Sequence, residues 1–542
     1  MRAWHSGRVG HRDGDALRSY HERTNHSVER LRADRHTLDW DIQPIPYKLY
    51  SDLPPLPLPR DWEASAVPAL DAIAAVAPGI TAAGIGPSGA GASPEVPVVP
   101  TLARLARLLL LSAGIVRKSV YASGREAYFR AAACTGALYH IDVYVICGSL
   151  PNLEAGVYHF GPHDFALRRL RGGDHRATIV AATGAEPSIV TAPVVLVYAS
   201  TFWRNAWKYR ARTYRHCFWD TGTMLANALA AAAADGIPAR VVVGFVDAAI
   251  QHLLGLDDER EAALALLAVG YVPAATPPSA PAAPPLALKT VPLSAREIAY
   301  PEIRAAHAAS SLATAAEAVA WRAGELREVP GSGGMHEPPV ERVPLPRVDR
   351  ASRESIDDVV RRRGSTRAFA PAALPLAELS LALERATRGI PADFLDTPAT
   401  HLCDVYLLVN AVEGLASGTY LYDRDEHALE TLRAGEFRRE AGFLGLGQDL
   451  AADAAVNVYL LADLELIFAA FGNRGYRAAQ LEAAITGGRL YLAAYALRLG
   501  ATGLTFFDDA VTAFFSPRAA GESVMFLTAI GRPRRRGAAT SA

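Results

Sequence analysis

The chain has 542 residues, 50% of them hydrophobic and 20% charged, which is enough apolar surface for two or three cores. A formal net charge of -1 argues against a nucleic-acid binder and against a highly charged partner. Cys134, Cys147, Cys217 and Cys403 form no CxxC pair, and the histidines have no metal-ligand spacing. Neither structural zinc nor a disulfide-stapled secreted protein is expected, and a reducing cytoplasm fits.

The N-terminal stretch is polar and has no apolar core of the kind a signal peptide needs. Residues 1–99 read as a lead-in and flexible linker, ending in the Gly/Pro/Ala run from 77 to 100. A first compact unit spans 100–271. Its opening helix is "LARLARLLLLSAG", with apolar residues at helical spacing. The strand "IDVYVI" follows, then a "GVY" hairpin turned by "GPHD". A further strand leads into an alanine-rich helix over about 219–235 and a closing strand "ARVVVGF", with Pro238 marking the helix end. No apolar stretch is long enough to span a bilayer.

Residues 272–349 read as a Pro/Ala/Gly-rich linker region, with "VPAATPPSAPAAPPLAL" (272–288) and "VPGSGGMHEPPVERVPLP" (329–346) as its ends. The second unit spans 350–536, and 537–542 form a tail. Its elements repeat the first unit's order: "LAELSLALERATRG", "DVYLLVN", a "GTY" hairpin turned by "DRDE", a helix over about 481–499 and "GLTFF".

The two units are copies. A shift of 262 positions lays Asp142 and Tyr144 on Asp404 and Tyr406, and Arg212, Tyr214 and Arg215 on Arg474, Tyr476 and Arg477. It also lays Asp220 on Glu482, and Phe245 and Asp247 on Phe507 and Asp509. The expected fold is α+β: two tandem units, each a mostly antiparallel sheet with packed helices, forming a pseudo-dimer within one chain.

"RAAACTGALYHIDVYVI" followed by "LEAGVYHFGPHDFALRRLRGGD" resembles the nitroreductase superfamily, in particular its SagB/ThcOx branch. "YHERTNHS" is similar to that branch's lead-in, and "RRRGSTRAF" and "RGYRAAQLEAA" carry the likeness into the second unit. The resemblance implies FMN bound at a protomer interface to which both protomers contribute. SagB-type members oxidise thiazoline or oxazoline rings of ribosomal peptides to azoles, within reach of a cyclodehydratase complex. Other members use NAD(P)H to reduce nitro groups, quinones or flavins. A third reading is a non-catalytic peptide-binding scaffold subunit. The substrate is thus a peptide or a small molecule.

The resemblance also assigns residues. Arg363, Ser365 and Arg367 stand in the family's "R-R-S-x-R-x-F" positions as a phosphate clamp, with Gly364 replacing the second arginine. Repeat one has no such segment, so a single clamp is expected. Arg130, Thr135, Gly136 and Ala137 face the ring and ribityl chain, although Cys134 and Thr135 stand where the family has proline and serine. The matching loop of repeat two, "DTPATHLCD", lacks the glycine. Lys208 and Tyr209 are the catalytic pair, a desolvated lysine acting as base and the tyrosine relaying or orienting. Repeat two has Ala470 and Phe471 there. Asp220 and Glu482 read as helix-start capping or ion-pair residues. Arg532 or Arg534 either reaches the phosphate or belongs to a free basic tail.

Overall fold

The structure is a computed structural model that describes residues 13–75, 80–81, 84–85, 96–120, 124, 126–273, 279–324, 326, 341–348, 352–397 and 399–534. Most of the 77–100 run, residues 329–340 and the 537–542 tail lie outside the described residues.

Each repeat builds one antiparallel sheet. In repeat one the strand order is Pro55–Pro57, Ala166–Gly172, Gly156–Gly161, Ile141–Cys147, Val194–Thr201, Glu261–Val269, Ala239–Val242. Repeat two has the same order: Arg342–Pro344, Ala428–Ala434, Gly418–Asp423, Asp404–Val409, Val456–Ala462, Ser523–Pro533, with Gly500–Gly503 and Phe369–Ala370 both on the last long strand. β-branched and aromatic residues fill the central strands, and Ile141–Cys147 and Val194–Thr201 are buried on both faces. The proline-bearing strands Pro55–Pro57 and Arg342–Pro344 sit at sheet edges, where a missing N–H is harmless.

The long helices Thr213–Ala234 and Leu464–Ala496 cross at the centre of the chain. The second is broken at Gly472, and beyond that break both begin earlier than the alanine-rich runs suggest, because buried Tyr and Arg residues extend the apolar and hydrogen-bonded faces backwards. At the crossing a Cβ on Gly222 would collide with Ala484, and one on Gly488 would come within 2.7 Å of the Ala226 Cβ. The 262-residue shift pairs 222 with 484 and 226 with 488, so the crossing lies on the pseudo-twofold axis.

The same axis exchanges ion pairs. Arg474 and Arg477 of repeat two donate to Asp247 of repeat one at 2.6 and 2.7 Å. Arg212 and Arg215 of repeat one donate to Asp508 of repeat two at 3.0 and 2.5 Å. Asp509, the residue in register with Asp247, instead accepts from Asn25 at 2.8 Å.

Three expectations need correction. The 272–349 region is not all linker: the helices Pro301–Ala309 and Ala315–Arg322 bury Ile303, Ala306, Ala318 and Trp321, and Arg342–Pro344 is a strand. The lead-in contains the helix Asp15–Thr24, tied to both repeats by Tyr20 Oη to the Ala211 carbonyl (2.7 Å) and by Leu17 N to Asn473 Oδ1 (3.1 Å). The closing strand of repeat two is Gly500–Gly503, ahead of most of "GLTFF". Among the described residues no helix is long and apolar enough to cross a membrane.

Candidate functional site

The loop after Arg130 is a tight turn, Thr135–Ala137, held in unusual backbone. Gly136, Ala137 and Tyr139 have φ of 63°, 54° and 51°. Left-handed backbone costs a non-glycine residue about 1–2 kcal/mol and clusters where chains clamp ligands. Asp220 holds this loop. Its Oδ1 accepts from Thr135 N (2.8 Å) and Oγ1 (2.7 Å), and its Oδ2 accepts from the Cys134 thiol (2.8 Å) and meets His140 Nε2 (3.0 Å). Asp220 is two turns inside its helix rather than at the start, and it ties down a loop rather than capping. Burial, followed by Asp220, pushes the Cys134 thiol well above its ordinary pKa. With its inward groups so occupied, the loop exposes Gly136 and Ala137.

The clamp segment of repeat two lies against this loop. Arg363 donates Nε to the Ala131 carbonyl (2.8 Å) and Nη2 to the Arg130 carbonyl (3.0 Å). Ser365 Oγ lies 3.5 Å from Tyr491 Oη, and Thr366 N donates to the Ala501 carbonyl (2.9 Å). The short strand Phe369–Ala370 anchors the segment to the end of the last strand. Arg367 is exposed beyond the turn. Arg130 is buried, with its Nη atoms on the Ile141 (3.1 Å) and Pro46 (2.7 Å) carbonyls and its Nε without a partner. Arg532 donates to the Ala373 carbonyl (3.3 Å) and Arg534 to Asp453 (3.3 Å), so neither side chain turns toward the clamp.

Lys208 and Tyr209 close the helix Trp203–Tyr209 on the repeat-one side. The Tyr209 ring meets His216 edge-on at 4.5 Å, and a Cβ on Gly136 would come within 2.8 Å of its hydroxyl. Burial first, then Asp220 and Cys134, push the Tyr209 phenol above its ordinary pKa, while Arg367 pulls the other way. The phenol therefore stays protonated and is a donor at neutral pH. Lys208 is a correction: its ammonium lies 5.2 Å from the Tyr209 ring centroid, but the side chain is exposed rather than desolvated.

The corresponding place in the other half is filled by the chain itself. Phe471 is buried against Trp321, whose Nε1 donates to the Phe471 carbonyl (3.1 Å). The N–H groups of Val243 and Gly244 both donate to Asp393 at 2.8 Å. A Cβ on Gly244 would come within 3.0 Å of Trp321, Arg322 and Asp393 at once. A cleft of about 1470 Å³ between Asp247–Leu254 and residues 301–317 is lined by none of the clamp, the loop or the Lys-Tyr pair. Among the described residues no His/Cys/Asp/Glu cluster could hold a metal ion.

The nitroreductase family model matches residues 109–271 and 360–532, more than half of the chain and one match per repeat. The chain belongs to the nitroreductase family. Over 96% of its length it superposes on 99% of a solved "putative nitroreductase from Anabaena variabilis", at a TM-score of 0.72 and 26% identity. It is 28% identical over 162 residues to "Putative nitroreductase MJ1384" of Methanocaldococcus jannaschii, covering 28% of this chain and 80% of that protein. It is 31% identical over 142 residues to the microcin B17-processing protein McbC of Escherichia coli, covering 25% of this chain and 52% of McbC.

In this nitroreductase-family chain Arg363 touches the backbone of the Gly136 loop's lead-in, Tyr209 packs at Gly136 and the Lys208 ammonium lies near the Tyr209 ring, whereas the Arg130 side chain turns to the Ile141 and Pro46 carbonyls. Ser365 and Arg367 follow Arg363 on the same segment, and the Arg367 charge acts on the Tyr209 phenol. The residues that sequence reasoning undervalued are Asp220 and His216. The signal for Asp220 was its register on Glu482, which accepts from Leu402 N (2.5 Å) in repeat two.

Proposed function

We propose that this chain is an FMN-dependent oxidoreductase with one flavin cleft, acting as a SagB-type dehydrogenase on azoline rings of a modified peptide. The observation that carries it is the meeting of Arg363 and Arg367 with the Gly136 loop and Tyr209 across the pseudo-twofold axis. The residues suit the cofactor. Cations and a hydroxyl at one end fit a phosphate dianion, and the lack of a side chain at Gly136 lets the Tyr209 phenol lie against the exposed loop. The buried, unpartnered Nε of Arg130 leaves a donor for a polar atom behind the loop. The likeness to a microcin-processing protein supports a peptide substrate; a place beside a cyclodehydratase in a reducing cytoplasm is part of the same proposal.

Bound FMN would supply the hydride acceptor. The chain's own part is acid–base work and positioning. A peptide laid over Tyr209 would cover Lys208, the base of this reading. Tyr209, kept protonated, orients the ring by donating a hydrogen bond. Arg367 places positive charge near the phenol.

The test is direct. The purified full-length protein should absorb at about 450 nm, or do so after reconstitution with FMN. Lys208→Ala should keep that absorbance and lose ring oxidation. A protein that takes up no flavin overturns the reading, and unchanged turnover in Lys208→Ala removes the lysine from it. The competing reading is an NAD(P)H-dependent reductase, supported by the likeness to a relative named as a nitroreductase. Rapid bleaching of bound flavin by NAD(P)H would favour it.

A further inference from the structure

The clamp of repeat two lacks one cation, and a residue of the other repeat stands where that cation would be. The gap is at Gly364, between Arg363 and Ser365. A Cβ built on Gly364 would lie 3.6 Å from Arg117 Nη1, 3.9 Å from Arg117 Nη2 and 3.5 Å from Tyr495 Oη. Arg117 belongs to the hairpin Ile115–Val120 and Glu126–Arg130, the second strand of which runs directly into Arg130 and the Gly136 loop. Its guanidinium lies over the Phe129 ring, 4.5 Å from the centroid, which directs it along the hairpin toward Gly364.

We propose that Arg117 completes the clamp from the opposite repeat, placing its guanidinium on the cofactor phosphate in the position that Gly364 leaves open. This rests on the flavin reading above. Three guanidinium groups, those of Arg117, Arg363 and Arg367, then surround Ser365 and the hydroxyls of Tyr491 and Tyr495. Among the described residues no carboxylate forms an ion pair with any of the three. Like charges gathered without a counter-ion at the start of the clamp fit a dianion better than any neutral ligand. Burial foremost, with the Arg117 charge among the lesser causes, lowers the Arg363 pKa, and an anion would relieve both. The arrangement also explains how Gly364 is tolerated. A second arginine in sequence would bring a fourth guanidinium into the same space.

The experiment separates phosphate recognition from folding. The full-length apoprotein is titrated with FMN and with riboflavin, following quenching of flavin fluorescence. The variants are Arg117→Ala, Arg117→Ala with Gly364→Arg, and Lys118→Ala as a neighbour on the same strand. Gly364 has no left-handed backbone and nothing closer than 3.5 Å to its added Cβ, so an arginine there is sterically admissible once Arg117 is gone. Arg117→Ala should weaken FMN by about tenfold or more, the size of one lost charged contact, and leave riboflavin unchanged. Gly364→Arg in the same chain should recover most of the loss, and Lys118→Ala should bind both flavins as the parent does. Unchanged FMN affinity in Arg117→Ala, or equal losses for FMN and riboflavin, overturns the proposal while the flavin reading stands. A parent protein that binds neither flavin overturns the flavin reading and this proposal together.

Discussion

Arg210 and Gly472 are the same hinge in the two repeats, one built on arginine and the other on glycine. They stand 262 residues apart, and their backbones are at φ 50°, ψ −135° and φ 57°, ψ −158°. Glycine takes this conformation freely, whereas a side chain there costs about 1–3 kcal/mol. The strain is stored next to Tyr209, in the half that carries the Lys-Tyr pair. Arg210 also pairs with Asp34, but that pair is largely in water and contributes little.

Arg210→Gly should therefore stabilise the protein by about 1 kcal/mol, after allowing for the greater freedom of glycine in the unfolded chain. Urea unfolding at neutral pH measures it. A less stable variant would show that the hinge carries no strain. Turnover should fall at the same time, because Tyr209 is the residue immediately before the hinge.

The swapped ion pairs predict a pH dependence. Burial alone would raise the Asp247 pKa, but Arg474 and Arg477 outweigh it and hold the group at about 2. An unfolded aspartate titrates near roughly 4. The folded value is depressed, so the stabilisation is complete above about pH 4 and is lost as pH falls toward 2. Asp247→Asn leaves two buried guanidinium groups facing a neutral amide and should cost about 3–5 kcal/mol at pH 7. Below pH 3 the gap between variant and parent should narrow. A gap of constant size from pH 7 to pH 2.5 would assign the loss to packing rather than charge.

The 262-residue register made the repeat legible, because it holds from the first central strand through the long helix of each unit. The site was legible where a motif names chemistry, as with Arg363, Ser365, Arg367 and Gly136. It was hidden where a residue acts through three-dimensional neighbours. Asp220 reads as a cap because the three residues it holds, Cys134, Thr135 and His140, are 80 or more residues away. The sequence register put Asp509 opposite Asp247, yet Asp508 faces the arginines, because the turn between the long helix and the closing strand has four residues in repeat one (235–238) and three in repeat two (497–499), which moves the later elements by one. The helices at 301–309 and 315–322 were masked by the prolines on either side. Lys208 was expected to be desolvated, but burial belongs to the folded surface and not to a motif.

Asp220→Ala should release the Gly136 loop. Thr135 N and Oγ1 lose their acceptor, so flavin affinity should drop while the helix and the fold persist. A second readout is independent of the cofactor. Asp220 helps burial hold the Cys134 thiol above its ordinary pKa, so removing the carboxylate should bring that value down. Alkylation of Cys134 at about pH 8 should then be faster in the variant, followed by mass spectrometry against the three buried cysteines. An unchanged alkylation rate would show that the loop is held without Asp220.

Gly222 poses a case in which two physical arguments give opposite signs. Helix propensity alone says that Gly222→Ala gains about 1 kcal/mol. The crossing geometry says that it loses, because the added Cβ meets the Ala484 side chain and, at 2.9 Å, the backbone of the facing helix. Backbone cannot swing aside as a flexible side chain can, so the two helices must part along the length that holds the repeats together. The loss should win by about 1–3 kcal/mol, and Ala484→Gly in the same chain should recover part of it. The recovery is partial because the backbone contact remains after the Ala484 methyl is gone. A stabilised Gly222→Ala would mean that the helices have room to separate. The exchange of ion pairs between Asp247 and Asp508, rather than the crossing, would then hold the pseudo-dimer closed.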